Sequence, residues 1–100
     1  MNDVLTEKIK KWAIERNLHE ADPKAQMLKV TEEVGEVAGA LARNNLENLA
    51  IEIGDVVVTL TILAMQNGLD LNECAAAAYQ KILNRKGKMI NGVYVKEADL

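Results

Sequence analysis

Apolar residues recur along this chain at intervals of three and four, between short polar breaks. That spacing puts them on one face of an α-helix. Leu5, Ile9 and Trp12 mark a first helix over residues 2–17. Asp22-Pro23 is a start signal, a capping acid followed by proline at the first helical position. Met27, Val30, Val34, Val37 and Leu41 then form the stripe of a second helix over residues 23–43, which Asn44-Asn45 interrupts. Leu46, Leu49, Ile53, Val56, Leu60 and Leu63 carry a third over residues 46–66, stopped by Asn67-Gly68. The run Val56-Val57-Val58-Thr59 is β-branched, but the length and period around it favour a buried helix. Asp70 and Glu73 have capping-box spacing, with Asp in place of Ser or Thr, and open a fourth helix over residues 71–86.

The tail over residues 87–100 changes character. Asn91-Gly92 sits between the β-prone pairs Met89-Ile90 and Val93-Tyr94, a strong hairpin signal. A lone hairpin is marginal in water, so this one must pack on something. The expectation is a single all-α domain over residues 1–100. It is a four-helix bundle-type protomer with a short C-terminal β-hairpin, completed by oligomerisation.

Composition narrows the class. The chain has 100 residues, is 49% hydrophobic, and its only aromatics are Trp12, Tyr79 and Tyr94. Its core is therefore aliphatic. A net charge of −3, with no basic run before residues 81–88, argues against binding of a nucleic-acid polymer. The single cysteine, Cys74, cannot form an internal disulfide, which points to a reducing compartment. No apolar run approaches the roughly 20 residues that span a bilayer, and the charged N-terminus lacks a signal-peptide core. The expectation is a soluble cytoplasmic protein without a membrane partner.

The candidate chemistry lies in a repeated phrase. Glu33-Val34-Gly35-Glu36-Val37 and Glu52-Ile53-Gly54-Asp55-Val56 each read acid, β-branched residue, glycine, acid, valine. Like charges three apart share a helix face and repel. A mid-helix glycine costs about 1 kcal/mol relative to alanine. Taking about 100° per residue, Glu33 and Glu36 lie about 60° and 120° to one side of Val30. Glu52 and Asp55 fall at the same angles from Leu49. If the short Asn44-Asn45 connection makes the two helices antiparallel, both pairs face one cleft at similar heights. The missing side chains of Gly35 and Gly54 would let a neighbouring helix or a ligand approach. Four carboxylates with no nitrogen or sulfur donor suit Mg²⁺, Mn²⁺ or Ca²⁺. The lone His19 excludes a di-iron site of Glu-x-x-His pairs. A single Glu-x-x-Glu is usually a solvated face, and spacing alone leaves that reading open beside the metal site.

These residues resemble the MazG-like nucleoside triphosphate pyrophosphohydrolases of the all-α NTP pyrophosphatase superfamily. The likeness rests on Glu32-Glu33-x-x-Glu36 followed by Glu52-x-x-Asp55 on the next helix. Weaker matches are Trp12-Ala13, Gln26-x-x-Lys29 and Lys81-x-x-Asn84-Arg85. The resemblance implies Mg²⁺-dependent hydrolysis of (deoxy)nucleoside triphosphates between the α and β phosphates, with Glu33, Glu36, Glu52 and Asp55 at the metal-ligand positions. It also implies a homodimer or homotetramer with sites near subunit boundaries, and a role in clearing surplus or non-standard nucleotides. Some relatives carry a proline-containing segment after the last helix, where this chain has Gly87-Lys88-Met89-Ile90.

Around that core, Glu32 or Glu36 would orient the attacking water. Lys81, Asn84 and Arg85 would contact phosphate, although a solvated basic face explains them as well. Trp12 would stack on the base or pack in the core. Two other classes compete: a non-catalytic helical oligomerisation or regulatory module, and a carboxylate metal-binding protein without catalysis.

Overall fold

Two long antiparallel helices joined by Asn44-Asn45 form the body of the molecule, and the rest of the chain is arranged around them. The computed structural model describes residues 3–100. In chain order the elements are α1 (Asp3–Glu15), a 3₁₀ turn (Leu18–Glu20), α2 (Pro23–Ala42), α3 (Leu46–Gln66), α4 (Leu71–Leu83), strands β1 (Gly87–Ile90) and β2 (Val93–Lys96), and a last 3₁₀ turn (Glu97–Asp99). The chain is thus mostly helical with a C-terminal two-stranded antiparallel hairpin. The expected helix start at Asn2 lies outside the described residues.

The helix starts follow local chemistry. The Asp22 side chain accepts from the Lys24 amide at 3.1 Å, with Pro23 in the first turn. Asn45 caps α3 by accepting from the Asn48 amide at 3.2 Å. Asp70 caps α4 by accepting from the Glu73 amide at 3.1 Å. Each cap satisfies one backbone donor that the helix itself leaves unpaired.

The ends were less legible. α1 stops at Glu15 instead of residue 17, because Asn17 turns into the left-handed region at φ 57°. α4 stops at Leu83 instead of residue 86, because the hairpin claims the residues that follow. The Lys86 carbonyl accepts from the Glu97 amide at 2.7 Å, and Gly87 pairs with Lys96. A Cβ at Gly87 would sit 2.3 Å from the Val95 carbonyl oxygen, so only glycine fits there. The hairpin turn has φ 50° at Asn91 and φ 81° at Gly92, as a two-residue primed turn requires.

The core is small. Ala13 of α1, Val30 and Ala40 of α2, and Ile62 and Ala64 of α3 are its buried apolar residues among those described. Buried polar groups tie the elements together. The Gln26 side-chain amide donates to the Thr59 carbonyl at 3.1 Å, joining α2 to α3. The Gln66 amide donates to the Leu18 carbonyl at 2.9 Å, joining α3 to the turn after α1.

α4 carries no buried residue, and its start, capped by Asp70, is tied to the rest of the protein. An ion pair from Lys10 of α1 to Asp70 anchors that start. The Lys10 ammonium, hydrogen-bonded to the Asp70 carboxylate, holds that carboxyl below its usual range, and the Glu73 amide adds to this. Cys74, on the same helix, is partly buried.

The radius of gyration is 16.0 Å, against about 13 Å for a compact globule of this length. α3 departs from the sequence expectation in one respect. By length and composition its 21 residues are apolar enough to cross a membrane, yet only 17% of that apolar window is buried within the chain. Glu52 and Asp55 in its middle and its packing against α1 and α2 account for it as the central helix of a bundle.

Candidate metal centre

Three carboxylates from α2 and α3 converge. One oxygen each from Glu33, Glu52 and Asp55 lies within 4.8 Å of the others, and all three residues are partly buried. The local sequence explains the arrangement. The i, i+3 spacing puts Glu52 and Asp55 on one face of α3, and the tight α2–α3 connection brings Glu33 across to them.

The electrostatics follow from this crowding. Loss of solvent pushes the Glu33 carboxyl above its ordinary value, and the charges of Asp55, Glu52, Glu32 and Glu36 push it further. Among the described residues no cation pairs with any of these acids. Oxygen donors held together in this way favour a hard divalent cation.

Glu36, one turn along α2, is exposed and stands outside the converging three, and Glu32 is exposed as well. The glycines do not act as expected within the chain. A Cβ at Gly35 or Gly54 would meet nothing within 4 Å, so no neighbouring element of the protomer needs either one.

Trp12 is brought to the acids. With Lys8 and Ile9 of α1 and Asp55 and Val58 of α3 it lines a cavity of about 430 Å³. It also borders a cavity of about 300 Å³ lined by Gln26, Lys29 and Thr59 among others. The Arg16 guanidinium lies over the indole ring, 4.3 Å from its centroid. Lys81, Asn84 and Arg85 share a separate cavity of about 380 Å³ with Lys86, Lys96 and Glu97 at the base of the hairpin. None of the four acids lines it. From sequence alone Ile9 belongs to the apolar stripe of α1 and Lys8 is not singled out. The signal was available for Lys8, which precedes Trp12 by four residues and so shares its helix face.

The family model of the MazG nucleotide pyrophosphohydrolase domain matches residues 21–90, which contain both acid pairs. This chain belongs to the MazG family. The chain is also 40% identical, over 67 residues, to a protein of Haemophilus phage HP1 described as an uncharacterized 18.2 kDa protein in the rep-hol intergenic region. That alignment covers 66% of this chain and 41% of the phage protein, so the match spans about two fifths of that relative's length. No solved structure gives a significant match. The helical body that carries α2 and α3 is thus that of a MazG domain.

Proposed function

We propose that this protein hydrolyses (deoxy)nucleoside triphosphates between the α and β phosphates, releasing a nucleoside monophosphate and pyrophosphate, and so clears unwanted nucleotides. The observation that carries this reading is the convergence of Glu33, Glu52 and Asp55 on the two helices at the centre of the family match. The donor set fits Mg²⁺, with Mn²⁺ as a substitute: only carboxylate oxygens, held close, with no cation of the chain among them. When bound, the metal neutralises triphosphate charge and lowers the pKa of a coordinated water.

The chain's own residues then have distinct tasks. Glu33, Glu52 and Asp55 hold the ion, and Glu36 joins them from the exposed side of α2. Glu32 or Glu36 orients the attacking water and accepts its proton. The water oxygen bonds to the α phosphorus. The bond from that phosphorus to the bridging oxygen breaks, and the oxygen departs with its electron pair on pyrophosphate. Trp12 stacks on the base, a contact that tolerates any base. A panel of dNTPs with Mg²⁺, with products separated, tests the reaction. Pyrophosphate and monophosphate are expected, and release of orthophosphate would overturn cleavage at this bond.

The protein acts as a homodimer or homotetramer. Support comes from apolar surface that the single chain leaves bare. Val34, Val37, Ile53, Val56 and Val57 line an apolar groove of about 240 Å³ between α2 and α3. Tyr79, Ile82 and Leu83 lie exposed on α4. Exposed apolar patches of this kind mark interaction surfaces. A second copy covers this surface and brings its Lys81, Asn84 and Arg85 to the phosphates. Light scattering at micromolar concentration should give the mass of two or four chains, and a single-chain mass would remove this part of the reading.

A further inference from the structure

We propose that Lys8 binds a phosphate oxygen of the triphosphate, so that α1 supplies the site with a cation as well as an aromatic wall. The inference rests on the pyrophosphohydrolase reading and adds a residue to it. Lys8 and Asp55 are the two charged residues lining the cavity of about 430 Å³, whose other walls are Ile9, Trp12 and Val58. Opposite charges share this space, yet among the described residues neither belongs to an ion pair. A cavity lined by both an unpaired carboxylate and an unpaired ammonium fits a ligand that is itself dipolar. A divalent cation bound to a polyphosphate is such a ligand, its metal towards Asp55 and its anionic oxygens towards Lys8.

The other cations of the chain are placed differently. Lys10, also on α1, is engaged by Glu7 at 3.3 Å and by Asp70. Lys11 lines a different cavity, with Val4, Glu7 and Lys8. Lys81 and Arg85 line the cavity at the hairpin. Lys8 is therefore the cation that a single chain offers in the cavity of Asp55. An ammonium there makes a charge-assisted hydrogen bond as a point charge, with little demand on geometry.

The test measures binding of α,β-methylene dNTPs, which cannot be hydrolysed at the bond in question, in the presence of Mn²⁺. Lys8→Ala is expected to weaken the analogue by about tenfold. Lys8→Arg should restore most of the loss, and Lys11→Ala should change little. Affinity for Mn²⁺ alone should be unchanged or slightly tighter in Lys8→Ala, because a nearby positive charge has been removed. Unchanged analogue affinity in Lys8→Ala, or an equal loss in Lys11→Ala, overturns the inference while the pyrophosphohydrolase reading stands. A parallel loss of Mn²⁺ affinity would make Lys8 merely structural and also overturns it. If the wild-type protein binds no analogue of any base, the parent reading fails and this one falls with it.

Discussion

Glu33→Gln is expected to lower pyrophosphate release by about a thousandfold while leaving the metal-free protein at least as stable as the parent at neutral pH. The substitution keeps the shape of the side chain and removes its charge. Activity falls because Glu33 is the one member of the converging three that α2 contributes. Stability moves the other way because the folded chain holds this carboxyl where solvent is scarce and four acids surround it. Its folded pKa lies above the ordinary glutamate value, so in the window above that value the folded chain binds more protons than the unfolded one. Stability then falls as pH rises through the window and is fully regained below it. Thermal melts of the metal-free protein should show this fall between acid and neutral pH, and Glu33→Gln should flatten it. Retained turnover in Glu33→Gln would take this residue out of the site. A large loss of metal-free stability would mean that it is a structural group, in conflict with the crowding described above.

Divalent metal produces the second large effect. A ligand that binds only the folded state stabilises it by about 2.7 kcal/mol at a hundred times its dissociation constant. For a domain of this size that is a rise in melting temperature of roughly 10–20 °C. Saturating Mg²⁺ or Mn²⁺ should give a shift of this order at fixed chain concentration, and Glu52→Gln or Asp55→Asn should remove most of it. The shift should be larger at neutral than at acid pH, because the three carboxylates must be ionised to hold the ion. A flat response would leave Glu33, Glu52 and Asp55 as surface charge. A shift without turnover of any triphosphate would leave a carboxylate cation-binding protein.

The same physics decides which acids converge. Glu36 and Asp55 stand at equal angles from their apolar stripes, yet Asp55 joins the group and Glu36 does not. The difference lies in what covers them. α1 packs against α3, and Ile9 and Trp12 wall the cavity that Asp55 lines. Among the described residues Glu36 stays exposed on α2. A helical wheel treats the two helices alike because it contains no neighbour.

Local sequence determined much of this protein. The three-and-four spacing of its aliphatic residues fixed α2 and α3, and α3 runs over the residues expected. Asp22-Pro23, Asn44-Asn45, Asp70 and Asn91-Gly92 set the starts and turns, since caps and primed turns depend on a few adjacent residues. The acid phrase itself was legible, because two carboxylates three apart on each of two adjacent helices is a local pattern repeated. Only the tertiary structure decided which acids meet, where α4 ends, and which cation shares a cavity with Asp55. α4 stops at Leu83 because Lys86 and Gly87 are taken by partners near residue 96. Lys8 lines the cavity of Asp55 because α1 packs on α3, whereas Lys81 and Arg85 line a separate cavity at the hairpin. Helix spacing is written in neighbouring residues, whereas the meeting of charges distant in sequence depends on how whole helices pack.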